Sequence, residues 1–390
     1  MSLTQLLRKR VGLVQALIVR QPVRSLTGIC GIAVACLLMF VQLGFRDGLF
    51  NQSVRVHEAL RADLVVINRD STSLATMRPF ARQRLGTIYG DHDVSDISLV
   101  RVRPLRWRNE LTSRSRNILA LGVDPDDPPL TLTSTTTQLN SIKGLFNVLF
   151  DSNSRREFGP IATLVNQGKS VTNEVNGYRL SVTGLVSIGP SFAYDGYLVA
   201  SRATVEALIN DGSQGDSEIG LITLKPNADV DNVLYRLLKY LPDDVNILTK
   251  QGYINFERNY WRKGSSIGFV FNFGAILGLL VGAVMIYQVL YTDVSDHLSE
   301  YATLRAMGYS MSYLYSIVIC QGILLALLGF LPALLLGEVA YIGIRKGTNI
   351  AVTMSQPIAT SVFLLSFVAS FLSALLVTRR LWSADPADIF

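Results

Sequence analysis

Residues that carry chemistry are scarce in this chain of 390 residues. Histidine occurs three times, at His57, His92 and His297, too scattered for a ligand set, and no CxxC or Cys/His cluster points to a metal site. Cysteine also occurs three times, at Cys30, Cys36 and Cys320, each inside an apolar run. The polar middle of the chain therefore has no disulfide, whichever compartment it faces. Nothing in the sequence pairs a nucleophile with a histidine. Gly168-Lys169-Ser170 ends like a phosphate-binding loop, but the glycine needed five positions earlier is Thr163, and Val171–Asn176 do not open a helix. No enzyme activity, metal, cofactor or nucleotide site is expected of this chain itself.

Charge is sparse as well, 17% of residues against 49% hydrophobic. The net charge of +6 could suggest nucleic acid, but it is concentrated at one place. Arg8, Lys9, Arg10, Arg20 and Arg24 stand within residues 1–24 with no acid among them. The long middle region is nearly balanced, which excludes a nucleic-acid footprint and makes the basic excess a juxtamembrane feature.

What the chain has instead is four apolar runs without charge: Leu26–Phe45, Ile267–Tyr291, Tyr313–Gly337 and Ile358–Val377. Each matches the roughly 20 residues an α-helix needs to cross hydrocarbon, and backbone groups that cannot stay unpaired in lipid make each a helix. A signal-peptide core would need a shorter run and a small-residue cleavage site, so the first run reads as a retained span. The predicted order is an amphipathic cytoplasmic helix in 1–24, with Leu3, Leu7, Val11, Val14 and Ile18 on one face. Transmembrane helices follow at 25–45, 264–292, 310–340 and 357–378. Between them lie an outer domain, 46–263, a cytoplasmic segment, 293–309, and a short outer loop, 341–356, with a cytoplasmic tail at 379–390. The basic N-terminus places both ends in the cytoplasm, although Arg258, Arg262, Lys263, Arg345 and Lys346 then fall on the outer side. Pro332 is positioned to kink the third span.

In the middle region, Ala62–Asn68, Asn117–Val123, Tyr178–Val186, Gly196–Ala200, Ile219–Leu224 and Val245–Thr249 read as strands, and Val94–Trp107 as one or two more. Pro79–Ile88 and Val230–Leu241 read as helices, and the Ser/Thr-rich stretch Thr131–Asn140 as loop. β-α-β units at both ends enclose a mixed insert. The fold class is a membrane protein: four transmembrane α-helices with a large α+β extracytoplasmic domain between helices 1 and 2.

Two patterns inside the membrane part suggest function. Gly274, Gly278 and Gly282 recur every fourth residue in the second run, a spacing that lets helix backbones approach closely, either within the chain or across a dimer seam. Asn272 and Gln288 of the same run are expected to hydrogen-bond between helices. Between the second and third runs, Asp293–Gly308 carries a helical stripe of Val294, Leu298, Tyr301 and Leu304, and Gly308 supplies a helix-ending position of positive φ. A short helix held between two spans is either a solvated connector or a docking element.

The residues of that segment add a resemblance. Glu-Tyr-Ala-Thr-Leu-Arg-Ala-Met-Gly at Glu300–Gly308 resembles the coupling segment of permeases in the MacB/FtsX/LolC group of ABC transporters. The string Tyr287–Leu298 together with Glu300–Tyr309 looks like the DevC branch, as do Gln42–Asp47, Ser191–Gly196 and the tail Ala384–Phe390. Ser299 stands where many relatives carry a basic residue. The resemblance implies an inner-membrane permease, paired as a homodimer, whose Val294, Leu298, Glu300, Tyr301, Leu304, Arg305, Ala306, Met307 and Gly308 meet a separate ABC ATPase subunit. It also implies a periplasmic domain with a porter-like part and a second lobe, a periplasmic adaptor (membrane fusion protein), a TolC-like outer-membrane channel, and export of a lipid or other amphiphile, with glycolipid as the DevC case. The alternatives are a LolC-like lipoprotein extractor and an FtsX-like regulator of cell-wall hydrolases.

Overall fold

A computed structural model describes residues 22–379, apart from 110–111, 132–135, 192, 210–214 and 349. The helix expected from Leu3 to Ile18 and the tail after Arg379 lie outside the described residues. The chain divides into two compact units, one made of the residues up to Gly48 with those from Ser266 onward, the other Leu49–Ser265.

The first unit is helical. Four helices are long and apolar enough to cross a membrane: Ser25–Ser53 within Pro22–Ser53, Ser266–Asp296, Met311–Thr348 and Gln356–Thr378. All four extend beyond the apolar runs, three of them into charged residues. The first continues through Arg46 and Asp47 to Ser53, and Arg46 is accommodated by ion-pairing with Asp47 at 2.8 Å and donating to Asn272 Oδ1 at 3.0 Å. The third passes through Pro332 and takes in Arg345 and Lys346, which the sequence had placed in a loop. Arg345 donates to the Val352 carbonyl at 3.0 Å, so the extra turns are tied to the segment that follows.

Close packing in this bundle rests on small residues. Gly274, Gly278 and Gly282 lie against Gln42, Met39 and Ala35 of the first helix, where a Cβ at Gly274 would come 2.7 Å from the Gln42 side chain. Gly44 is covered by the Tyr341 ring, whose hydroxyl donates to the Phe40 carbonyl at 2.6 Å. On the fourth helix Ser366, Ala369, Ser370, Ser373 and Ala374 are buried, and Ser373 donates to the Ala283 carbonyl at 2.8 Å. Of the polar members expected to bond between helices, Asn272 does so, while Gln288 is exposed.

The second unit is built on a nine-stranded sheet in the order β5-β6-β4-β7-β3-β2-β8-β1-β9. Its strands are β1 Leu64–Asn68, β2 Val94–Arg108, β3 Ser115–Val123, β4 Asn147–Asp151, β5 Val171–Val175, β6 Tyr178–Val186, β7 Tyr197–Ser201, β8 Ile219–Leu224 and β9 Val245–Thr249. Alternation divides the side chains between faces: Leu64 and Val66 join one apolar cluster, Val65 and Ile67 another. The helix Val230–Leu237 starts at Asp229, whose carboxylate accepts from the Asp231 and Asn232 amides, and buries Val233 and Leu237 on the first of those clusters. It stops short of the expected Leu241. Pro79–Ile88 is not one helix but a 3-10 turn, Arg82–Leu85, followed by the short turn Gly86–Tyr89. Residues 136–141, read as loop, form a short helix.

Strand β2 joins two lobes. Its first half, Val94–Val100, pairs with β8, and its second, Arg101–Arg108, with β3. At the handover Glu218 accepts from the Val102 amide at 2.8 Å and lies 2.6 Å from the Arg103 guanidinium, with Arg101 at 3.5 Å. Burial pushes the Glu218 carboxyl above its ordinary range, against the pull of that amide and of the two arginines.

A second buried carboxylate ties the two chain ends of this unit together. Glu257 accepts from the Leu74 amide and from Trp261 Nε1, each at 2.7 Å, and His57 Nε2 lies 3.4 Å away with its ring against Tyr253. His57 and Glu257 are both buried, so removing the carboxylate strands two donors and an imidazole without water. Leaving a buried donor without its acceptor costs about 1–3 kcal/mol. Glu257→Ala is therefore expected to lower the denaturation midpoint of the purified chain clearly more than Glu257→Gln, which keeps an acceptor; equal midpoints for both variants and the wild type would contradict this role.

Candidate functional site

The segment between the second and third apolar helices is shorter as a separate helix than its pattern suggests. Residues Asp293–Asp296 continue the second helix, His297 breaks it at φ −102° and ψ 19°, and the connector helix is Leu298–Ala306. The break is stabilised locally: His297 Nδ1 sits 2.9 Å from the Asp293 carbonyl, which requires the proton on that nitrogen if it donates. At the far end Gly308 adopts φ +93°, and the Tyr309 amide donates back to the Leu304 carbonyl at 3.2 Å.

The apolar stripe is divided. Val294, Tyr301 and Ala302 are buried in the chain's own bundle, and Leu298 and Leu304 are half-covered. Glu300, Arg305, Ala306 and Gly308 are exposed, and Met307 is 62% exposed, a large apolar side chain without cover at the end of a polar helix. Burial pushes the Tyr301 hydroxyl well above its ordinary range, and the neighbouring Asp293 and Glu300 carboxylates push it the same way. Tyr301 thus stays protonated and seats the helix.

At the root of the connector stands a pair that the sequence did not single out. Asp293 Oδ2 accepts from Gln321 Nε2 of the third helix at 2.8 Å, with both residues buried. An acid at the end of a charge-free run was the available signal. Its partner, 28 residues away, could not be read from the pattern.

One cluster of potential metal ligands lies in the sheet unit. Asp91, His92 and Asp93 bring three potential metal-ligand atoms together. Arg236, however, donates to the Asp91 carboxylate at 2.8 Å and to that of Asp93 at 2.7 Å, and its guanidinium holds the Asp91 carboxyl below its ordinary range. The cluster is an ion pair already satisfied. Gly168-Lys169-Ser170 is an exposed turn leading into strand β5, not the N-terminus of a helix.

Comparison with known proteins points to the same region. Residues 272–386 match the family described as FtsX-like permease C-terminal. The chain is similar to the periplasmic region of MacB from Actinobacillus actinomycetemcomitans, at 14% identity and a TM-score of 0.35, covering 50% of this chain and 92% of that one. It is also similar to the extracellular domain of the noncanonic ABC-type transporter YknZ from Gram-positive bacteria, at 13% identity and a TM-score of 0.33, covering 48% and 98%. No curated protein matches it. The family match takes in most of the second apolar helix, the connector and the two helices that follow.

Proposed function

We propose that this chain is the permease subunit of a MacB/DevC-like ABC exporter and that it transmits the motion of a separate ATPase subunit through the membrane. The observation that carries this reading is the connector helix. Its inner face is buried in the chain's own bundle, while Glu300, Arg305, Ala306, Met307 and Gly308 remain outside it. Val294, Leu298 and Tyr301 hold the helix in place, and Leu304 with the exposed set meets the ATPase. The connector faces the cytoplasm, both termini lie on that side, and Leu49–Ser265 is periplasmic. Two copies of the chain pair, each docking one ATPase. Gly274, Gly278 and Gly282 are occupied within the protomer, so the seam of that homodimer lies elsewhere. The periplasmic unit acts on an adaptor and a TolC-like outer-membrane channel, and the cargo is a lipid or other amphiphile, a glycolipid in the DevC case.

Covering one leucine at an interface contributes roughly 1.5–3 kcal/mol, and burying an aspartate there without a partner costs more. Leu304→Asp should therefore weaken ATPase co-purification at least about tenfold, since about 1.4 kcal/mol is one decade. Glu300→Lys should act in the same direction. Membrane levels of the permease should be unchanged, because neither residue lies in an apolar run. Leu304→Asp that retains its ATPase and its export at wild-type levels would reduce the helix to a connector. ATPase binding without any export would favour the FtsX-like regulator.

Orientation is tested in a chain freed of Cys30, Cys36 and Cys320. In intact cells with a permeable outer membrane, an impermeant maleimide should label Tyr235→Cys, a position 66% exposed in the sheet unit, and spare Ser299→Cys on the connector. The opposite pattern would invert the topology.

A further inference from the structure

The Asp293–Gln321 pair is more than another polar contact in the bundle. Asp293 lies in the last turn of the second apolar helix, is 7% exposed, and is met from the third helix and from the start of the connector. Gln321 Nε2 donates to its carboxylate from the third helix at 2.8 Å. His297, the residue that opens the connector, places Nδ1 at 2.9 Å from its carbonyl and 3.7 Å from its Oδ1. The Gln321 side chain is 4% exposed, and its Oε1 has no hydrogen-bond partner among the described residues, so the bond to Asp293 fixes the orientation of that amide. A buried carboxylate facing one neutral amide and one imidazole is a costly way to join two helices whose Leu290 and Gly322 already lie together. Directional bonds supply what apolar packing does not, namely a fixed register between elements. An ionisable side chain kept inside an apolar bundle is a functional position by default.

We propose that Asp293 and Gln321 are positioning residues that lock the base of the connector to the third apolar helix, so that the two move as one body when the connector is displaced. The inference rests on the docking reading for the source of that displacement. The lock itself belongs to this chain alone. Both residues are buried in this chain's own bundle, and neither lies on the exposed face of the connector.

The test uses the full chain without its native cysteines, in lipid nanodiscs, with nitroxides at Thr303→Cys on the connector and Leu327→Cys on the third helix. Labelled protomers are diluted with unlabelled chain, and the inter-label distance distribution is measured by pulsed EPR. With the pair intact the distribution is narrow. Gln321→Glu, isosteric but opposing two carboxylates, should broaden it. Adding Asp293→Asn to that variant reverses the direction of the bond, with the Asn amide now donating to Glu, and should narrow it again. A structural role through side-chain volume would not give this rescue, because none of these changes alters volume. A distribution unchanged by Gln321→Glu, or one that the double variant fails to restore, overturns the proposal. With the ATPase bound and trapped by vanadate, the wild-type distance should hold and the Gln321→Glu distance should shift, while the amount of co-purified ATPase stays the same. If no ATPase binds the wild-type chain, the docking reading falls and the lock is judged on the chain alone by the first three distributions.

Discussion

Hydrocarbon leaves a backbone no water to bond with, and the first unit follows from that constraint. Each charge-free run must satisfy its own amides, so each becomes a helix, and four such helices can gain little by burying leucine from lipid that is equally apolar. Specific association must come from close approach and directional bonds. The structure supplies both: glycines of the second helix against Gln42, Met39 and Ala35, a serine and alanine face on the fourth helix, and single hydrogen bonds such as Tyr341 to the Phe40 carbonyl. The same logic explains why an acid is tolerated at Asp293. It sits where the second helix ends, the connector begins and the third helix passes, and it bonds to the last of these.

Buried carboxylates recur in the sheet unit with a different task. Glu218 accepts the amide that strand β2 leaves unpaired when it changes partners, and Glu257 gathers Leu74, Trp261 and His57. Asp151 accepts from the Ile188 and Gly189 amides beyond strand β6, and burial raises its carboxyl above the ordinary range despite those bonds. In each case a buried acid accepts from donors that regular secondary structure leaves without a partner, and at Glu218 this lets strand β2 change partners within one continuous sheet.

Much of this was legible from residue order, because its causes are local. Absence of charge over twenty or more residues locates the apolar helices. β-branched runs locate Tyr178–Val186, Ile219–Leu224 and Val245–Thr249 as strands. The errors also have physical sources. Pro79–Ile88 looked helical, but Phe80 pairs with Ser217 and holds the start of the segment extended. Thr136–Ser141 folds into a short helix that overlaps the stretch composition assigned to loop, with Ser141 donating to the Gln138 carbonyl. The connector's stripe was visible, but not that Val294 belongs to the preceding helix or that Tyr301 turns inward. Pairs separated by tens or hundreds of residues, Asp293 with Gln321 and His57 with Glu257, exist only after folding, and no periodicity announces them.

The central claim is that the exposed side of Leu298–Ala306, with Met307 beyond it, is where a separate ATPase is received. Site-specific photocrosslinking tests it most directly. A photoreactive amino acid replaces Arg305 or Met307 in turn, with Tyr301 as the buried control, and membranes are irradiated in living cells. The account predicts a crosslinked product of permease plus a nucleotide-binding subunit from positions 305 and 307 and none from 301. Crosslinks to lipid alone from all three positions, or a product from 301 and not from 305 or 307, would contradict it.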